Sequence, residues 1–137
     1  MKKVMVFGTF DLLHPGHVNF FEQAKSYGDT LIVVVARDST VSKVKSHTPH
    51  DDEKTRVSNI EQLNIADKIV LGSTGEDKYE IVRYEKPDVV ALGYDQQHFI
   101  GDLENALEDH VKIVRLSPYR PDLYKSSLLA RQQNKVE

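Results

Sequence analysis

Residues 3–28 read KVMVFGTFDLLHPGHVNFFEQAKSYG, and the order of their parts decides the fold. KVMVFG (3–8) is a continuous apolar run of strand length that stops at a glycine. Continuous rather than alternating hydrophobicity marks a strand covered on both faces. GTFDLLHPGH (8–17) then sets two glycines, a proline, an aspartate and two histidines on the end of that strand. Residues 17–27 follow with Val18, Phe21 and Ala24 at helical spacing, and Gly28 supplies a stop. Strand, polar turn and helix in this order open a βαβ unit.

The rest of the chain repeats the alternation. Further apolar runs are TLIVVVA (30–36), KIVLG (68–72), DVVALG (88–93) and VKIVRL (111–116). Between them, DDEKTRVSNIEQL (51–63) puts Val57, Ile60 and Leu63 on one stripe, DKYEIVRYEK (77–86) ends before Pro87, and IGDLENALEDH (100–110) is amphipathic. A last helix is expected at roughly 123–133. Strand alternating with helix implies right-handed crossovers and a parallel sheet with helices on both faces, an α/β class. Residues 37–52, RDSTVSKVKSHTPHDD, read as one long irregular loop with a functional role. No repeat, low-complexity segment or linker interrupts the pattern, so residues 1–137 are expected to form a single domain.

Ligands of open parallel sheets sit beyond the carboxyl ends of the strands. GTFDLLHPGH, the 37–52 loop, GYDQ (93–96) and SPYR (117–120) each follow a strand's carboxyl end, so they describe one site. Composition narrows its chemistry. The formal net charge of −3 gives no electrostatic case for nucleic acid or an anionic membrane. There is no cysteine, which excludes disulfides and thiolate metal sites and fits a reducing cytoplasm. No apolar stretch approaches the roughly 20 residues that span a bilayer, and Asp11 and His14 interrupt the first apolar run too early for a signal peptide.

Pro15 suits a helix's first turn, and the helix amino terminus behind it offers N–H groups and partial positive charge to an anion. Imidazoles at 14 and 17 add donors, while Gly8 and Gly16 leave room for a polyphosphate. The pattern is a phosphate cradle distinct from a P-loop, because GxxxxGK[ST] is absent. Two other readings fit the same residues: a plain tight turn, and a histidine metal site built from HPGH (14–17) and HTPH (47–50).

The HxGH pattern of His14-Pro15-Gly16-His17 within GTFDLLHPGH resembles the cytidylyltransferase-like branch of the nucleotidyltransferase superfamily. RPDLYKSS (120–127) is similar to that family's second motif, RTEGISTT, with Arg120 on the arginine and Ser126 and Ser127 on the paired threonines; the middle of the motif departs. LGYDQ after KPDVVA, with VVVARD at 33–38 and no tryptophan, looks more like archaeal-type FAD synthetases than glycerol-3-phosphate cytidylyltransferases. The resemblance implies a Rossmann-like three-layer sandwich whose five-stranded parallel sheet has the order 3-2-1-4-5. It implies transfer of a nucleoside monophosphate from ATP or CTP to a phosphate monoester with release of pyrophosphate, a divalent cation such as Mg2+, and a homodimer.

On that resemblance His14 and His17 donate to the transferring and leaving phosphates, and Lys43 or Lys45 closes over them. Gly8, Thr9, Phe10, Gly16, Arg120, Ser126 and Ser127 hold the nucleotide, Gly93 and Asp95 border the base, and Asp11 orients the acceptor or a cation. Arg56 is either a triphosphate contact or a surface arginine. An acceptor phosphate is already a nucleophile, so positioning and charge stabilisation suffice. The expected reaction is adenylyl transfer to FMN; the alternatives are CTP-dependent synthesis of a CDP-alcohol and an inactive nucleotide- or flavin-binding module. A second, riboflavin kinase site is not expected in one domain of this size.

Overall fold

The computed structural model describes residues 2–45, 49–72, 80–93 and 111–117, with the backbone alone at 43–45. Five strands, β1 (Lys3–Gly8), β2 (Thr30–Val35), β3 (Lys68–Leu71), β4 (Val89–Leu92) and β5 (Lys112–Arg115), form one sheet in the order β3-β2-β1-β4-β5. Every pairing is parallel. All five strands lie on the apolar runs that the sequence marks. The expected helices at 100–110 and 123–133 fall outside the described residues.

Each apolar run divides its side chains between two faces with a period of two, as the pleat requires. Val4 and Val6 of β1, Leu31, Val33 and Val35 of β2, and Val89 and Ala91 of β4 pack with Phe21 and Ala24 of α1 (Pro15–Lys25) and Ile60 of α3 (Glu53–Gln62). Met5, Phe7, Ile32, Val34, Val90 and Leu92 face the other way, against Val82 of α4 (Glu80–Glu85). The sheet is therefore covered on both faces, with the chain doubling back beyond β1 to form β4. That reversal opens a crevice at the carboxyl ends of β1 and β4.

Two local expectations change. Residues 37–52 contain a helix, α2 (Asp38–Lys45), so the segment is not irregular throughout. Val41 is buried, and two valines, Val41 and Val44, among six polar residues leave little periodicity to read. Gly28 is not the stop of α1, which ends at Lys25 with Ser26 as its cap. A Cβ on Gly28 would sit 2.7 Å from the Lys2 carbonyl oxygen, so close packing against β1 requires glycine there. No helix among the described residues is long and apolar enough to cross a membrane.

Candidate active site

The turn from β1 into α1 is fixed by its two histidines. His14 is the N-cap of α1, with extended backbone, and its Nδ1 accepts the Gly16 N–H at 3.1 Å. The His17 Nδ1 accepts the His14 N–H at 3.3 Å, closing a reciprocal capping box in imidazole rather than in serine and glutamate. An accepting Nδ1 carries no proton, so each neutral ring bears its hydrogen on Nε2. Both rings thus become Nε2–H donors of defined orientation, 4.0 Å apart between centroids. Burial holds the His14 pKa below its usual value, and a second proton would also destroy the cap and sit at the positive end of the helix.

This arrangement corrects the expected cradle of helix amides. Pro15 has no N–H, Gly16 gives its own to His14, and the His17 N–H bonds the His14 carbonyl at 2.9 Å. The first turn satisfies itself, so the polar groups it directs outward are imidazole ones.

The turn's glycine and phenylalanine are also placed differently from expectation. A Cβ on Gly8 would meet the Phe10 ring at 2.7 Å, so the space beside Gly8 belongs to that ring rather than to a ligand. Phe10 is 6% exposed and packs on Phe21 at 5.0 Å and edge-on to His17 at 6.0 Å. Its side chain supports His17 from the core. To fold back in this way Phe10 adopts φ 55°, and Leu12 adopts φ 53°. Left-handed backbone at two non-glycine residues is strain, held by the contacts around it.

Those contacts form a knot at the carboxyl ends of β1 and β2. Asp11 receives the N–H groups of His50 at 2.6 Å and Asp51 at 2.9 Å. Asp38 and Glu53 open α2 and α3, and each carboxylate accepts the other's backbone N–H, at 3.2 and 2.9 Å. Arg37 Nε donates to the Gly72 carbonyl at 2.7 Å, bringing in the end of β3. At the centre, Arg56 is wholly buried and donates to the Thr9 carbonyl at 2.7 Å, the Asp51 carbonyl at 3.1 Å and Asp38 Oδ1 at 2.7 Å. It is neither a surface arginine nor exposed to a triphosphate. Its position four residues before Ile60, on the core-facing stripe of α3, was the available signal; Asp38 and Glu53 carried none.

The structure therefore brings together Gly8, Thr9, Phe10, Asp11, His14, Gly16 and His17. Gly93, at the end of β4, is buried and its carbonyl accepts from Arg115 Nη1 at 2.6 Å. Lys43 and Lys45 lie on α2, with side chains outside the described set, and Asp95, Arg120, Ser126 and Ser127 lie outside the described residues. Among the described residues, one group of potential ligands gathers its atoms within 4.8 Å: Asp11, His50 and Asp51. Beside His14, an open groove of about 550 Å³ has Leu13, Pro15, Val18 and Leu63 among its walls.

The chain is 44% identical over 122 residues to the FAD synthase of Aciduliprofundum boonei, covering 87% of this chain and 80% of the relative. It is 41% identical over 135 residues to the FAD synthase of Thermoplasma volcanium, 96% and 94% of the two chains. Among solved structures, the lipopolysaccharide core biosynthesis protein from Thermoplasma volcanium superposes with a TM-score of 0.76 at 40% identity, over 87% of this chain and 98% of that one. Pantoate-beta-alanine ligase from Francisella tularensis shares the fold alone, with a TM-score of 0.59 at 14% identity over 96% of this chain and 69% of that one. With residues 5–133 matching its profile, and paired imidazoles at the carboxyl end of the first strand, the chain belongs to the cytidylyltransferase-like family.

Proposed function

We propose that this protein is a nucleotidyltransferase that moves AMP from ATP to FMN, giving FAD and pyrophosphate, within a single domain spanning residues 1–137. The observation that carries the reading is the pair of imidazoles whose Nδ1 atoms are committed to backbone N–H groups, which makes Nε2–H donors of both rings. Relatives named FAD synthase at 40–44% identity support the acceptor and the nucleotide.

In the reaction an FMN phosphate oxygen attacks the α-phosphorus of ATP. The new P–O bond forms as the bond to the β-bridging oxygen breaks, and pyrophosphate leaves with the electron pair. His14 and His17 hydrogen-bond the transferring and leaving phosphates, stabilising charge that grows in the transition state. Lys43 or Lys45 brings positive charge from α2. Gly8, Thr9, Phe10 and Gly16 shape the turn under the nucleotide; Gly93 and Asp95 border the base, and Arg120, Ser126 and Ser127 take the β- and γ-phosphates. Asp11 orients the acceptor or a cation. Mg2+ suits the oxygen donors of Asp11 and Asp51, whose group is compact enough to share one ion. When bound with the nucleotide, the ion would neutralise polyphosphate charge. A homodimer in the cytoplasm completes the reading.

Pyrophosphate release should appear with ATP plus FMN and Mg2+, and not with CTP plus glycerol-3-phosphate. The reverse pattern would make the protein a CDP-glycerol synthase. Tight nucleotide binding without pyrophosphate from either pair would make it a binding module.

A further inference from the structure

Arg56 has no task in the reaction just described, yet it is the largest fully buried side chain among the described residues. A guanidinium so placed touches no substrate. Its three donors reach three segments: the Thr9 carbonyl after β1, the Asp51 carbonyl before α3, and the Asp38 carboxylate opening α2. Packing alone would be served as well or better by an apolar side chain, since a buried charge must offset its desolvation. What the apolar residue lacks is directional reach to several points at once, and lysine lacks the planar fork.

The three acceptors mark where the site is divided. Thr9 precedes Phe10 and Leu12, whose left-handed backbone turns the chain toward His14. Asp51 N–H bonds Asp11 in the same turn. Asp38 begins the helix that carries positions 43 and 45, and it is locked to α3 by the reciprocal cap with Glu53. We infer that Arg56 is a positioning residue for nucleotidyl transfer, holding the histidine-bearing turn and the start of α2 in one register. The chemical part of this inference rests on the proposed reaction; the placement rests on the contacts.

The test compares wild type with Arg56→Met, Arg56→Lys and Asp38→Asn, following pyrophosphate from ATP and FMN. Displacement of reacting groups by about 1 Å costs on the order of 100-fold. Arg56→Met and Arg56→Lys should lose that much in kcat while KM for ATP stays within about threefold. Asp38→Asn, which leaves the arginine in place, should lose less, in the same kcat-only manner. Wild-type kcat in folded Arg56→Met overturns the inference, as does a loss that tracks the unfolded fraction read by circular dichroism. If both Arg56 variants fail to fold, Asp38→Asn decides: a kcat-only loss supports the inference and wild-type kcat overturns it. If wild type itself releases no pyrophosphate, the proposed reaction has failed, and imidazole 15N spectra read the placement without turnover. The His14 and His17 signals should then move in Asp38→Asn and stay fixed in Tyr84→Ala, an exposed control; unmoved signals in Asp38→Asn overturn it.

Discussion

The two edges of the sheet are held by the same residue types used in opposite ways. At the amino edge one device repeats. Asp29, Asp67 and Asp88 each stand one residue before a strand, and each forms two hydrogen bonds with a single residue of an adjacent segment of the sheet. Asp29 bonds Lys2, Asp67 bonds Leu31 and Asp88 bonds Lys3, each by carboxylate to N–H and by N–H to carbonyl. Glu85 adds a buried carboxylate bonded twice by Lys68, which raises the lysine's pKa. These are local stitches, each of which closes orphan backbone groups at a strand end.

At the carboxyl edge the one tie that recurs among the described residues is an arginine donating to the carbonyl of the glycine after a neighbouring strand, Arg37 to Gly72 and Arg115 to Gly93. The other ties differ from one another. Asp11, Asp38, Glu53 and Arg56 tie loops of different strands to one another, and they surround a turn with two left-handed non-glycine residues. The difference teaches that the amino edge secures the sheet and the carboxyl edge secures a geometry. Left-handed non-glycine backbone also occurs singly at the amino edge, at Asn64 and Lys86 in the turns that leave α3 and α4. Among the described residues only the turn after β1 carries two such residues, Phe10 and Leu12. Such strain persists only where its surroundings over-determine it.

That division can be broken from either end. The largest effect belongs to the carboxyl edge: His17→Ala should lower turnover by about 100- to 1000-fold, or ~2.7–4 kcal/mol of transition-state stabilisation, with the circular dichroism spectrum kept. Near-normal pyrophosphate release would remove His17 from the reaction. At the amino edge Asp88→Ala leaves the Lys3 N–H without its 2.8 Å partner. Urea unfolding should show a loss of about 1–3 kcal/mol, with kcat unchanged; a fall in kcat would erase the contrast between the edges.

The smallest effect sharpens the comparison through pH. His14 has a depressed pKa in the folded protein, so between that value and the unfolded one the unfolded chain binds more protons. Its contribution to stability is present above the unfolded pKa and is lost as pH falls through the folded one. The stability advantage of wild type over His14→Asn, which keeps a side-chain cap, should shrink as urea titrations move from pH 7.5 toward acid. An advantage that grew on acidification would contradict the accepting Nδ1.

Much of the scaffold was legible in the chain. The apolar runs located all five strands: β1, β2 and β4 are buried on both faces, which leaves no polar interruption, and β3 and β5 at the sheet's edges keep half-buried apolar centres. The Asp before β2, β3 and β4 is likewise visible, in GDT, ADK and PDV, once the stitch is known. HPGH located the turn. Its inner workings were less accessible: the imidazoles cap the helix whose amides were expected to serve a ligand, and Gly8 accommodates Phe10 instead of a phosphate. α2 is not legible in the chain because two valines among six polar residues cannot establish a period.

What the sequence by itself determined, then, is the alternation of strand and helix and the residue types at the end of the first strand. Both are local properties, set by hydrophobic period and by turn chemistry. Which side of an imidazole faces outward, which glycine a ring covers, and whether Arg56 meets water or three oxygens were decided only by the tertiary structure. Arg56 meets oxygens as many as 47 positions away, brought to it by the packing of α3 on the sheet. The imidazole caps and the ring over Gly8 span only two or three residues, but they need the left-handed backbone at Phe10 and Leu12, which the long-range bonds of Asp11 and Arg56 hold.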